Sequence, residues 1–166
     1  MKKTLLSVLF FCATKVYAQD QPEIREIDSI VSVINKSNLT IQRDTSVLDI
    51  PAAKMYSKTY TAAMIADNEL KKYENVVVSL REENGVPLKV DGFNKFYFHK
   101  NKLIKVEEYI NDNGKEMHAD WYYWNDNPLY YSLKSDKSEE RVKFLLALAK
   151  SVLKTMQDKL PAKTAL

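Results

Sequence analysis

Cysteine and glycine are scarce in this chain, which excludes several kinds of site. Its 166 residues include one cysteine, Cys12, and three glycines. Cys12 lies in an apolar N-terminal leader, so the chain beyond that leader can form no disulfide, thiolate metal site or redox pair. Gly85 and Gly114 lie in predicted turns, and Gly92 lies in a predicted strand. None of them belongs to a phosphate-binding loop or a dinucleotide-binding fingerprint.

The side chains that most often carry catalysis are few or poorly placed. The only histidines are His99 and His118, and no serine lies in a nucleophile elbow. Adjacent glutamates on a strand point to opposite faces, so none of the Glu-Glu pairs forms an acid–base couple by itself. Glu116, His118 and Asp120 alternate onto one strand face, but this spacing is too general to indicate a metal site. We expect no catalytic residue, no metal and no cofactor.

Residues 1–18 have the three parts of an export signal. Lys2 and Lys3 are followed by an apolar core at 4–13, and small residues stand at the positions that a signal peptidase reads. Cleavage is expected between Ala18 and Gln19, which leaves 19–166 as a single α+β domain in the periplasm or outside the cell. The apolar core is too short to span a bilayer, and no later segment is longer, so we expect no transmembrane segment in the mature chain.

No excess of positive charge remains after the leader. Three of the 25 lysines and arginines lie in it and every acidic residue follows it, which leaves 22 basic against 22 acidic residues. Binding to nucleic acid depends on clustered positive charge that meets the phosphate backbone. We therefore expect no nucleic-acid partner.

The spacing of apolar residues and turns predicts a β-meander between two helices. Apolar residues recur at helical spacing after Pro22 and again from Val142 to Leu160. Between these helices, Asn-containing turns recur at 67–68, 84–85, 100–101, 113–114 and 126–127, and such residues suit tight hairpins. They delimit strands near 56–66, 69–81, 88–99, 102–111, 116–124 and 129–133. The prediction is an N-terminal helix, an antiparallel six-stranded meander and a C-terminal helix packed on one sheet face.

Two stretches leave their structure open. Residues 39–51 alternate weakly and fit either a short strand or an extended linker. Residues 52–73 contain alanines and lysines that also suit a helix, although a strand is the preferred interpretation.

Aromatic residues are concentrated in the second half of the predicted sheet. Fifteen follow the leader, and 11 of them lie between Phe93 and Tyr131. Strand alternation places Trp121 and Tyr123 on one face of the fifth strand. Candidate binding residues lie on the other face and in the next strand: Tyr122, Trp124, His118 and Tyr130. Such a patch suits cross-strand pairing, a protein interface or a platform on which a sugar stacks.

The hairpins resemble the aromatic-rich repeats of MORN-type proteins. The similarity lies in the segments 97–103 and 123–129, where an aromatic residue precedes an Asn by three positions and a Leu follows it by two. The regular glycines of that family are missing, so the resemblance implies no function. The chain also resembles small exported bacterial proteins of unknown function that place such a meander between two helices.

We expect an exported, non-enzymatic binding module whose partner is a protein or an envelope component. An alternative is an inhibitor or immunity-type protein that blocks a secreted enzyme. A small hydrolase acting on envelope sugars is a further alternative, and it requires two carboxylates that face each other across a cleft.

Overall fold

The computed structural model of the protein describes residues 21–159. The chain divides after Lys36 into two compact units, each of which is described by itself. The predicted leader 1–18 and its cleavage site between Ala18 and Gln19 lie outside the described residues.

The first unit contributes helix α1, Pro22–Lys36. Proline suits the first turn of a helix because the amide hydrogen it lacks has no intrahelical partner there. Ile24, Ile27, Val31 and Ile34 recur every three or four residues and are buried along one side of the helix. The predicted N-terminal helix is confirmed.

The second unit is a seven-stranded antiparallel sheet followed by one helix. Each strand pairs with the next strand in the chain, so the spatial order equals the sequence order. The strands are β1 Thr40–Ile50, β2 Met55–Ala66, β3 Glu69–Glu83, β4 Val86–His99, β5 Lys102–Asp112, β6 Lys115–Trp124 and β7 Asn127–Tyr131. Helix α2 then spans Ser138–Lys159. The α+β class and the antiparallel meander are confirmed.

Five two-residue loops connect β2 to β7, and their backbone explains the recurrence of Asn. Every residue in them has positive φ, at 67–68, 84–85, 100–101, 113–114 and 125–126. Tight hairpins need this left-handed conformation at both loop positions because it matches the twist of the strands. Four loops lie where the Asn residues predict them. The fifth lies one residue earlier, so β7 begins at Asn127 rather than near 129.

The sheet has seven strands, so the prediction of six is wrong by one. The stretch left open at 39–51 forms β1, and 55–66 forms β2 rather than a helix. Every residue of β1 is exposed, so the strand has no buried face and its sequence needs no alternation of apolar and polar residues. A short 3-10 turn, Pro51–Ala53, connects β1 and β2.

Helix α2 packs on one face of the sheet, here named the helix-covered face. Leu145 and Ala149 of the helix are fully buried in a cluster with Phe96, Val106 and Trp121 of the strands. Positions 73, 75, 92, 94, 106, 108, 119, 121 and 123 share this face by alternation. Their neighbours in the strands form the opposite face. Within residues 21–159, neither helix has the length and apolar composition of a membrane span.

Candidate binding surface on the sheet

Five residues from five consecutive strands form a line across the opposite face, here named the aromatic row. They are Tyr60, Val76, Phe93, Tyr109 and His118. Strand pairing places each directly beside the next, from β2 through β6. Strands lie about 4.8 Å apart, so the row is about 19 Å long.

The middle of the row is closely packed. The rings of Phe93 and Tyr109 stack with centroids 5.5 Å apart, and those of Tyr109 and His118 lie 4.7 Å apart. Because β5 lies between β4 and β6, the Tyr109 ring lies between the other two. The Lys95 ammonium lies 4.7 Å from the centre of the Phe93 ring. Such cross-strand aromatic contacts each stabilise a sheet by roughly 0.2–1 kcal/mol.

The Tyr109 hydroxyl lies in a negative environment at the edge of the row. It donates a hydrogen bond of 3.2 Å to Oε1 of Glu116. Desolvation and then the negative charge of Glu116 raise the pKa of Tyr109, because both disfavour the phenolate. The hydroxyl is thus engaged with Glu116 as a hydrogen-bond donor.

The other end of the row is exposed. Tyr60 retains 42% of its accessible surface and Val76 retains 39%. Tyr56 and Leu80 pair with each other on the same face, further along β2 and β3, and they are also exposed. Lys58 lies between Tyr56 and Tyr60 on this face, and its ammonium lies 4.8 Å from the centre of the Tyr60 ring. Exposed apolar side chains grouped on a sheet face are typical of an interaction site.

Three charged residues lie beside the row and are here named the charged line: Lys105, Glu107 and Asp120. Glu107 and Asp120 are direct partners across β5 and β6. The Lys105 ammonium lies 3.7 Å from Glu107 and 3.9 Å from Asp120, and it offsets part of their repulsion. Both carboxylates line a cavity of about 280 Å³ together with Phe93 and His118. The cavity lies at the β6 end of the aromatic row.

The structure brings one of the four predicted binding residues into the row. His118 is exposed and contacts Tyr109. Tyr122 lies on the same face of β6, but only 7% of its surface is exposed. Its ring lies 6.0 Å from that of Tyr130, and the Lys105 ammonium lies 4.8 Å from its centre.

The other two predicted residues lie at the β6–β7 edge. Tyr130 is half-buried and pairs with Tyr122. Trp124 is the last residue of β6, is half-buried, and pairs with Asn127. These two residues and Tyr122 lie apart from the row, toward the end of the sheet where Tyr97, Lys105 and Tyr122 are buried.

Sequence reasoning missed Tyr60, Val76, Phe93 and Tyr109 as candidates. Alternation within each predicted strand assigns these side chains to a face, but only the pairing register shows that they align. The two-residue loops predict part of that register. The irregularities at 64–65, 97–98 and 122–123 change it near the strand ends.

Within the part of the chain that the structure describes, no three His, Cys, Asp or Glu side chains group closely enough to hold a metal ion. No protein-family model, curated protein or solved structure matches the chain.

Proposed function

We propose that this chain is an exported, non-enzymatic binding module that holds a protein partner on the aromatic row. The observation that carries the proposal is the exposure of Tyr60 and Val76, at 42% and 39%, in a line that continues into stacked rings. Tyrosine and other aromatic residues supply much of the binding energy in protein interfaces. The charged line beside the row resembles the polar rim of such an interface.

The ring geometry favours a protein over a sugar. A sugar stacks on a free ring face, but the faces of Tyr109 lie against Phe93 and His118. The Tyr109 ring at the middle of the row therefore presents its edge, and not a free face, to a partner. Such a surface suits the side chains of another protein better than the flat face of a pyranose.

Cross-strand stabilisation is the competing explanation of the row, and it makes a different prediction. If the side chains serve only the sheet, their removal lowers stability and changes no binding. If they hold a partner, polar replacements at the exposed end abolish binding while the fold persists. The exposed end is the better place for this test because its side chains contribute least to the core.

The test is binding of the Tyr60→Thr/Val76→Thr variant to the natural partner. Threonine keeps the β-propensity of both positions and removes the apolar surface. Proteins from envelope and culture-medium fractions of the source organism would be captured on the wild type and identified. Each purified candidate would then be titrated against the wild type and the variant by calorimetry. We expect the variant to bind at least about tenfold more weakly, and its circular dichroism to be unchanged.

Phe144→Ala is the matched control, because Phe144 is 53% exposed on α2, away from the sheet. It removes a similar apolar area and should leave the affinity unchanged. Trp124→Ala tests the predicted site at the β6–β7 edge in the same assay. Equal binding by the wild type and the row variant would exclude the row as the binding surface. A purified enzyme that is bound one-to-one and blocked would identify the module as an inhibitor.

Export is part of the proposal and is tested separately. The mass of the protein recovered from the periplasm or the medium should correspond to a chain that begins at Gln19. Recovery of the uncleaved chain from the cytoplasm would refute this part and leave the binding proposal standing.

The cavity beside His118 supports a second candidate, a small hydrolase acting on envelope sugars. Glu107 and Asp120 lie side by side in the lining of this cavity, and glycosidases use a pair of carboxylates. The Lys105 ammonium lies within 4 Å of both carboxylates and offsets part of their negative charge, which does not favour this candidate. Release of soluble sugars from envelope polysaccharide by the wild type, and its loss in Glu107→Gln and Asp120→Asn, would establish it.

A further inference from the structure

The two edges of the sheet differ in how they are protected. Edge strands normally carry features that prevent pairing with another chain, such as short length, proline, lysine or an irregular register. Strand β7 has several of them: it is five residues long, contains Pro128, and pairs with β6 through a register shift. Edge β7 is therefore a poor template for a further strand.

Edge β1 carries none of these features. It is 11 residues long and pairs with β2 in one uninterrupted register from Thr40 to Ile50. The strand contains neither proline nor lysine. Exposed apolar side chains lie along it at Ile41, Val47, Leu48 and Ile50. In the described sheet β1 has a partner strand on one side only, so backbone groups on its outer side form a template for a further strand. The amide of Thr45 donates a hydrogen bond of 2.7 Å to Oδ1 of Asp44, and pairing of this residue with a further strand replaces that bond.

The sequence of β1 is complementary to itself in one antiparallel register. When Ser46 lies opposite Ser46 of a second copy, Arg43 lies opposite Asp49 and Thr45 opposite Val47. Directly opposite side chains share a sheet face, so the register forms two equivalent Arg43–Asp49 contacts. Registers centred on Thr45 or Val47 place no opposite charges together. Charge therefore selects the Ser46 register.

We propose that two copies of this chain pair through β1, antiparallel, with Ser46 on the two-fold axis. The pairing joins two seven-stranded sheets into one continuous sheet and satisfies the outer backbone groups of both edges. Two-fold symmetric pairing is the commonest form of assembly in soluble proteins. The proposal concerns the edge of the sheet and stands independently of the aromatic row.

A cysteine placed on the proposed axis tests the register. Ser46→Cys in a Cys12→Ala background should form a disulfide-linked dimer as the major species on mild oxidation, because opposite residues in an antiparallel pair have the separation that a disulfide requires. Gln42→Cys is the matched control on the same side of the strand. Two copies of residue 42 would lie about 27 Å apart in this register and should not cross-link.

Exchange of the charges at Arg43 and Asp49 tests whether the partner is a second copy of this chain. Arg43→Asp and Asp49→Arg should each weaken self-association by at least about tenfold, since each places like charges together. The double variant restores both pairs in exchanged form and should return the dissociation constant to within about threefold of the wild-type value. Sedimentation velocity over a range of concentrations measures all three.

Four results would overturn the proposal. The first is a wild-type chain that stays monomeric at millimolar concentration. The second is a dimer in which Thr45→Cys or Gln42→Cys cross-links and Ser46→Cys does not. The third is a dimer whose charge exchange gives no recovery although the single variants weaken it. Capture of an extended segment of a different protein by a monomeric chain would likewise show that the edge serves a heterologous partner.

Discussion

The guanidinium of Arg141, in the first turn of α2, holds the carboxylate of Glu108 at the centre of the sheet. The Glu108 side chain is fully buried, whereas 33% of the Arg141 side chain is exposed. The indole Nε1–H of Trp121 donates a further hydrogen bond of 3.2 Å to Oε2 of the same carboxylate. This contact joins the start of the helix to β5 and β6, and it fixes where α2 crosses the sheet.

Removal of the arginine should destabilise the fold more than removal of the whole pair. Arg141→Met leaves a buried carboxylate without its counter-charge, which costs about 2–4 kcal/mol. The loss lies toward the lower end because Arg141 is partly exposed. Urea unfolding followed by tryptophan fluorescence measures the change.

Two variants at Glu108 show whether the loss of stability comes from an unpaired buried charge or from lost packing. Glu108→Gln keeps an acceptor for Trp121 and Arg141 and should cost less than Arg141→Met. Glu108→Leu/Arg141→Met removes both charges and should be more stable than Arg141→Met alone. If the double variant loses as much stability as Glu108→Leu and Arg141→Met lose together, Glu108 and Arg141 are not coupled.

Alkaline pH should destabilise the fold through Tyr123. Its hydroxyl donates a hydrogen bond of 3.1 Å to the carbonyl of Val142 in α2. Burial, followed by the negative charge of Glu108, raises the pKa of Tyr123 well above its ordinary value. The folded state thus keeps a proton that the unfolded chain loses near pH 10, and stability falls as the pH rises from there toward the folded pKa.

Tyr123→Phe isolates this effect. The variant loses one hydrogen bond and should be less stable at pH 8 by about 0.5–1.5 kcal/mol. Between about pH 9.5 and 11.5 its free energy of unfolding should fall less steeply than that of the wild type. The other tyrosines titrate in both proteins, so the difference between the two slopes reports Tyr123. Parallel slopes would contradict the prediction.

The turns are the part of this fold that the sequence predicts best. A two-residue hairpin needs positive φ at both positions, and Asn and Gly adopt it at least cost, so turn identity and position are local properties. Strand β1 is predicted least well. Its residues are exposed on both faces, and no burial imposes a period on them.

The candidate site is less predictable than the fold because it depends on register and on position along the sheet. Alternation assigns Tyr122 and His118 to one face of β6, and the structure agrees. Alternation does not show which part of that face is buried. Tyr122 lies in the buried part and His118 in the exposed part. The partners of His118 in the row come from four other strands, which local sequence patterns cannot align.

Two asparagines on the helix-covered face should be replaceable with a gain in stability. Asn75 and Asn94 are direct partners across β3 and β4. Among the described residues, the Oδ1 atom of each is buried without a hydrogen-bond partner. Asn75→Val/Asn94→Val removes both amides together and introduces side chains with high β-propensity, which should stabilise the fold by about 1–2 kcal/mol in urea unfolding.

Asn111→Val is the control for these asparagines, because Oδ1 of Asn111 accepts a hydrogen bond of 2.8 Å from the amide of Gly114. Its replacement should cost about 1 kcal/mol. If the double variant loses as much stability as Asn111→Val does, the amides of Asn75 and Asn94 contribute hydrogen bonds that stabilise the folded state.

Gly92 should tolerate no side chain, because β4 and β5 approach closely beside the aromatic row. A Cβ atom at Gly92 would lie 2.4 Å from the carbonyl oxygen of Tyr109, a backbone atom that cannot rotate away. Gly92→Ala must therefore separate the two strands at the point where Phe93 stacks on Tyr109. We expect a loss of about 2–4 kcal/mol, at the upper end of overpacking, and a change in the near-ultraviolet circular dichroism of the stacked rings.

Gly114→Ala separates this steric effect from the conformational preference of glycine. Gly114 has a φ of 89°, and a methyl group added there would meet no atom within 4 Å, so its replacement encounters backbone strain alone. That strain should cost about 1 kcal/mol and leave the ring signal unchanged. If Gly92→Ala costs no more than Gly114→Ala and preserves the ring signal, strands β4 and β5 have room to separate. The close approach at Gly92 would then not be what holds the Phe93–Tyr109 stack in place.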